Sequence, residues 1–123
     1  DYRGMDRAIE KVFAGVNTRL RLTKNPASWR EALSGVTSKN VILVLNAREV
    51  DGIDTSWLWD VDFSSLRGKH VVVTGERGMD LSYRLHVQGV VNELVADFDV
   101  ASAHFAGPVE VLAAYTAFHG LVS

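Results

Sequence analysis

The sequence contains no cysteine. That removes a disulfide framework, a thiolate zinc site and a cysteine nucleophile from this chain, and it fits a reducing compartment. No apolar run approaches the roughly eighteen residues that a membrane-spanning helix needs. Nor is there an excess of positive charge. Thirteen Lys and Arg stand against 15 Asp and Glu, a formal charge of -2, whereas a nucleic-acid partner calls for a basic face. The first residues, DYRGMDRAIEKV, mix both signs of charge and do not read as a signal peptide. They also lack an initiator Met, so the chain is expected to be a piece of a longer one.

What is present suits a globular α/β protein. The 123 residues are 47% apolar, enough for a core without staples and for a single domain over residues 1–123. Residues 8–15 and 18–23 read as two short strands joined through GVN, an N-terminal hairpin. In the second, Leu20 and Leu22 alternate with Arg19 and Arg21, the period of a half-buried strand. TKNPASWREALSGV reads as a helix with Asn25 as N-cap, Pro26 in the first turn and Gly35 near the end. Trp29, Ala32, Leu33 and Val36 form its apolar face. NVILVLNA and KHVVVTGER are continuous apolar runs, the mark of strands covered on both faces in a parallel sheet. GMDLSYRLHVQGV is helical, with Leu81 and Leu85 one turn apart and Gly89 as its stop. A shorter strand in NELVADF, a short helix in DVASAHFAG, a strand in PVEVLAA and a closing helix in YTAFHGLVS complete the pattern. Strands alternating with helices predict an open, mostly parallel, Rossmann-like sheet with helices on both faces. Function in such sheets sits on the loops at the carboxyl ends of the strands. Those loops are TKNP, the long stretch after Leu45, and TGERGMD.

The long stretch contains DGIDTSWLWDVDF, residues 51–63, with four aspartates, two tryptophans and a phenylalanine. It is too acidic for a core and too aromatic for an ordinary loop. One reading is a solvated loop pinned by Trp57 and Trp59, with Asp60 or Asp62 capping a short helix. The other is a carboxylate held by packed aromatics to bind Mg²⁺, to act as acid or base, or to orient a histidine. Asp51, Asp54, Asp60 and Asp62 lack EF-hand spacing. In an extended segment Trp57 and Trp59 point to one face, as core or as interface anchors. TGERG lacks the lysine and hydroxyl of a P-loop and the third glycine of a dinucleotide fingerprint, and a strand-to-helix turn needs glycine in any case. Glu76 and Arg77 either line a cleft or pair. His70, His86, His104 and His119 show no metal-ligand spacing, so no metal site is expected. No G-x-S-x-G elbow is present.

Four segments then occur in a recognisable order: LTKNPASWREAL, LVLNAREVDGIDTSWLWDVDF, VVVTGERGMDLSYRLHVQGV and AAYTAF. From about Leu20 to Phe118 the chain resembles the C-terminal domain of the MurT family, the Mur-ligase-like subunits of lipid II isoglutaminyl synthase. Ser28 stands where that family has glycine, Ala47 stands where it often has aspartate, and the segment between DFDV and PVEV is short. The resemblance implies a Mur ligase C-terminal fold, a cytoplasmic location, and a parent subunit that uses ATP and Mg²⁺ bound mainly outside this region. It implies a class I glutaminase partner of the GatD type and lipid II as substrate. In this light Lys24 and Asn25, in the place of the H-N-P loop of other Mur ligases, with Glu76 and Arg77, line a nucleotide or substrate cleft. Asp60 supplies the third member of the glutaminase's Cys–His pair, with Asp54 as second choice, and Trp57, Trp59 and Asp54 contact the partner. The isolated domain is then expected to turn over no ATP. Two rivals remain: a protein-binding module with no catalytic residue, and a small stand-alone enzyme using Asp60, Asp62 and Glu76 as paired carboxylates, one of them titrating high.

Overall fold

The computed structural model of the chain describes residues 9–13, 16–46, 56–114 and 121. The first strands, β1 (Ile9–Phe13) and β2 (Val16–Thr23), make the expected antiparallel hairpin with Phe13 opposite Val16. Val16 and Asn17 belong to β2 rather than to the turn, which lengthens the strand beyond its sequence reading. Helix α1 (Pro26–Ser34) and strand β3 (Asn40–Val44) follow. Two 3₁₀ turns come next, η1 (Ser56–Asp60) and η2 (Ser64–Leu66). Then come β4 (His70–Thr74), α2 (Gly78–Val87), β5 (Asn92–Leu94), α3 (Phe98–Ser102) and β6 (Val109–Ala114). The closing helix lies outside the described residues except for Leu121, which is helical. Among the described residues no helix is long and apolar enough to cross a membrane.

The sheet order is β1-β2-β6-β3-β4-β5, and every pair except β1–β2 is parallel. Right-handed crossovers explain which face each helix takes. The chain moves in one direction from β2 to β3, β4 and β5, and α1, η1, η2 and α2 all cover one face. It reverses from β5 to β6, so α3 falls on the other. Alternate residues of the central strands feed the two cores, as the pleat requires. Val41, Leu43, Leu45, Val71, Val73 and Leu112 pack under α1, α2 and the 3₁₀ turns. Ile42, Val44, Val72, Val111 and Ala113 pack with Ala101, Phe105 and Leu121 on the α3 side.

Local chemistry fixes α1. The Asn25 side-chain oxygen accepts from the Ser28 N–H at 2.9 Å, and the Ser28 hydroxyl oxygen accepts from the Asn25 N–H at 2.9 Å. This reciprocal capping box satisfies two otherwise orphaned donors. The Ser28 hydroxyl is what closes it.

Among the described glycines, the one that the backbone crowds most is Gly75, where the turn before α2 meets Leu45 just past β3. Gly75 has φ of 109°, and a Cβ there would lie 2.2 Å from the Leu45 carbonyl oxygen. Leu45 also donates to Thr74 at 3.1 Å and accepts from Arg77 at 2.8 Å. The glycine of TGERG is therefore demanded by backbone contact. Gly75→Ala is expected to cost about 3 kcal/mol or more. Gly68→Ala, at φ 83° with nothing near its Cβ, is expected to cost about 1 kcal/mol. Urea unfolding of the chain measures both, and equal losses would contradict the contact argument.

Arg21 departs from the half-exposed reading of β2. It lies beneath the end of α1, its side chain 19% exposed, with Nε 3.5 Å from Glu110 Oε2 in the neighbouring strand β6. Glu110 Oε1 accepts from the N–H groups of Thr37 and Ser38, both at 2.7 Å. This buried carboxylate ties the exit of α1 to the sheet. Burial pushes its titration up, but the Ser38 and Thr37 donors and Arg21 outweigh that and hold it below the ordinary value of 4.5. A carboxyl lowered on folding contributes stability that is present above its unfolded value and lost as pH falls through the folded one. Glu110→Gln is thus expected to be less stable than the unaltered chain at neutral pH. Its stability should fall less steeply below about pH 4.5, read by denaturant midpoints across the acid range.

Candidate functional site

The acidic and aromatic loop begins its described part at η1, which is helical, not extended. Two residues along a 3₁₀ turn is about two-thirds of a revolution, so Trp57 and Trp59 diverge. Trp57 is half-buried, its ring 5.9 Å from that of Trp29. Trp59 is 53% exposed, edge-on to Tyr83 of α2 at 6.3 Å. One tryptophan is core and the other is surface. Between them Leu58 is buried, and Trp29 also meets Phe63 edge-on at 5.9 Å.

Two arginines fasten the end of η1. Arg84 of α2 donates from Nε to the Leu58 carbonyl at 2.9 Å and from one terminal nitrogen to the Val61 carbonyl at 2.9 Å. The same terminal nitrogen lies 3.4 Å from the Trp59 carbonyl, and the guanidinium sits 4.8 Å from the centre of the Trp59 ring. Arg30 of α1 donates to the Asp60 carbonyl at 3.2 Å. These cations meet carbonyls at the end of a short helix, where the backbone supplies few donors; Leu58 also accepts from the Val61 N–H. Neither arginine was legible as a site residue in the sequence. Their partners are backbone atoms 23 to 30 residues away, which no local pattern signals.

The two described aspartates differ. Asp62 Oδ1 accepts from the Ser64 N–H at 2.9 Å and from Gln88 Nε2 at 3.1 Å. The Ser64 hydroxyl and N–H, with Gln88 and Arg67, hold its carboxyl below the ordinary 3.8. It ties the chain before η2 to the first residue of that turn, but it is not the cap: the N-cap position is Phe63, and no side chain caps it. With its titration lowered, Asp62 is not the raised carboxylate that the paired-carboxylate reading calls for. Asp60 is exposed, and no donor among the described residues reaches its carboxylate. Asp51, Asp54 and Ala47 lie outside the described residues.

The predicted cleft residues do not converge. Lys24 and Asn25 follow β2, and Glu76 and Arg77 follow β4, three strand positions away. At sheet spacing that is roughly 14 Å. The Asn25 side chain is committed to the capping box. The Glu76 N–H donates to Asn46 Oδ1 at 3.2 Å, which ties this turn to the carboxyl end of β3. Among the described residues no three His, Asp or Glu side chains are grouped to hold a metal ion. Taken alone, these residues do not fit a complete nucleotide or Mg²⁺ site.

A capped helix follows β2, a turn after β4 is locked onto the end of β3, and the SWLWD turn is clamped between α1 and α2. The family model described as MurT ligase C-terminal matches residues 22–118, a span that includes all three. The chain belongs to that family. The MurT subunit of lipid II isoglutaminyl synthase (glutamine-hydrolyzing) from Staphylococcus aureus strain COL is 33% identical over 91 residues, covering 68% of this chain and 21% of that protein. The subunit of the same name from Streptococcus pneumoniae strain ATCC BAA-255 / R6 is 32% identical over 85 residues, covering 63% and 19%. The chain therefore spans about a fifth of the curated MurT relatives it matches.

Arg84→Ala is expected to cost about 2 kcal/mol, because charged donors to buried carbonyls are lost. It should also speed amide exchange at Val61, whose N–H bonds to Leu58. Arg84→Lys should not restore either property, since an ammonium cannot span the two carbonyls as the planar fork does. Unchanged exchange at Val61 would show that η1 holds its shape without the clamp.

Proposed function

We propose that this chain is the C-terminal part of the Mur-ligase-like subunit of a lipid II isoglutaminyl synthase, a cytoplasmic, ATP-dependent, glutamine-hydrolysing amidotransferase. In this reading a class I glutaminase subunit releases ammonia from glutamine. The Mur-like subunit uses ATP and Mg²⁺, held mainly outside this region, to activate the α-carboxylate of D-glutamate in lipid II, and ammonia converts it to D-isoglutamine. The region described here docks the glutaminase and lends it Asp60.

One observation carries the reading: Asp60 presents an exposed carboxylate, reached by no donor among the described residues, from a turn that two arginines and two aromatic contacts hold. A structural aspartate finds a donor, as Asp62 does. A carboxylate that serves a partner's imidazole is held still and left unpaired until the partner arrives. There it accepts the imidazole Nδ1–H, fixes the tautomer, and stabilises the imidazolium formed when the cysteine thiol gives up its proton. The thiolate then attacks the glutamine carboxamide, ammonia leaves with that proton, and water releases glutamate from the thioester.

The test is glutamine hydrolysis by the full-length subunit paired with its glutaminase. Asp60→Asn is expected to lower the rate about 10²- to 10⁴-fold while titration shows the complex still forming. Unchanged hydrolysis would make the loop a docking surface without a catalytic residue and would move the assignment to Asp54.

A further inference from the structure

Beside Asp60 lies a surface that the fold leaves uncovered. Met79, Tyr83 and Val87 recur one helical turn apart on the outer side of α2 and are 72%, 61% and 49% exposed. Trp59 extends this stripe through its ring contact with Tyr83. On the far side of α2 is Val91, 86% exposed, and between Val91, Met79, Tyr83 and His86 runs an open groove of about 420 Å³ floored by Val90. Soluble chains scatter large apolar side chains singly, and a contiguous stripe of them marks a contact surface.

Two features of the molecule say what covers it. Trp59 precedes Asp60 in sequence and touches Tyr83, so a protein that reaches the Asp60 carboxylate also lies over α2. In addition, β1 is at the opposite edge of the sheet, four strand positions from β4, onto which α2 packs. Ile9, where β1 begins, thus lies roughly 19 Å across the sheet from β4.

We infer that the α2 stripe and its groove form the apolar centre of the interface with the glutamine-hydrolysing subunit, with Asp60 at its polar edge. This rests on the function proposed above. The partner face is apolar, inserts one side chain between Met79, Tyr83 and Val91, and sets its imidazole beside Asp60. Aromatic and Met anchors of this kind carry most of the affinity of an interface, and a charge placed among them is strongly disruptive.

The experiment is titration of the full-length subunit with its glutaminase, followed by hydrolysis at saturation. Met79→Glu and Tyr83→Glu are expected to raise the Kd at least about tenfold, with the unfolding midpoint unchanged. Hydrolysis should recover when the partner is in excess. Val12→Glu, on β1 and 61% exposed, should leave the Kd as it was. Asp60→Asn should show the reverse pattern, with normal Kd and lost hydrolysis. Unchanged affinity in the α2 variants, or an equal loss in Val12→Glu, would overturn this surface while Asp60→Asn still decides the functional reading. Loss of self-association by the α2 variants in sedimentation of the subunit alone would assign the stripe to a second copy and overturn it also. Failure of the unaltered subunits to bind each other would remove both.

Discussion

Burial of the Trp29 indole between Trp57 and Phe63 gives the acidic loop its shape. Trp29 is almost wholly excluded from solvent, and both partners come from the connection between β3 and β4. An aromatic of this size removes 150–250 Å² from water, roughly, and adds a geometric preference to the burial. It fixes where η1 starts and where the chain leaves toward η2. The Asn25–Ser28 capping box sets the helix that carries Trp29, so the order runs from a cap, to a helix, to an indole, to a loop. Without that contact the arginines of α1 and α2 would have no defined carbonyls to meet.

Much of the architecture was legible because it is written in short-range patterns. The caps of α1, the apolar runs of β3 and β4, and the spacing of Leu81 and Leu85 specify elements whose connections admit few topologies. The mostly parallel sheet with helices on both faces and the N-terminal hairpin follow from them. The loop was legible in composition but not in shape. Trp57 and Trp59 suggest a shared face if the chain is extended, and only the tertiary pull of Trp29 and Arg84 shows that it is not. Arg84 reads in the sequence as an ordinary surface residue of a helix. The same holds for Arg21, whose alternation with Leu20 and Leu22 predicts solvent while Glu110 draws it inward.

The contrast between Asp60 and Asp62 answers why a loop should be acidic and aromatic together. One carboxylate is spent on structure, bonded to Ser64 and Gln88, and its titration is lowered accordingly. The other is held out on a turn whose carbonyls are gripped by Arg30 and Arg84 from the two neighbouring helices. The aromatic residues divide in the same way: Trp57 goes into the core and Trp59 to the surface beside Tyr83. Rigidity and exposure are usually opposed in loops. Here the arginine clamp and the indole contacts supply both, which is the arrangement that a residue acting in another subunit's chemistry requires. Under the proposed function the nucleophile belongs to the partner and the carboxylate to this chain, which has no cysteine of its own.

The most direct measurement is a structure of the full-length subunit in complex with its glutaminase. The account expects an Asp60 carboxylate oxygen about 3 Å from the imidazole Nδ1 of the partner's Cys–His pair, with η1 in the shape described here. An Asp60 side chain facing solvent in that complex, with another carboxylate on the imidazole, would contradict it.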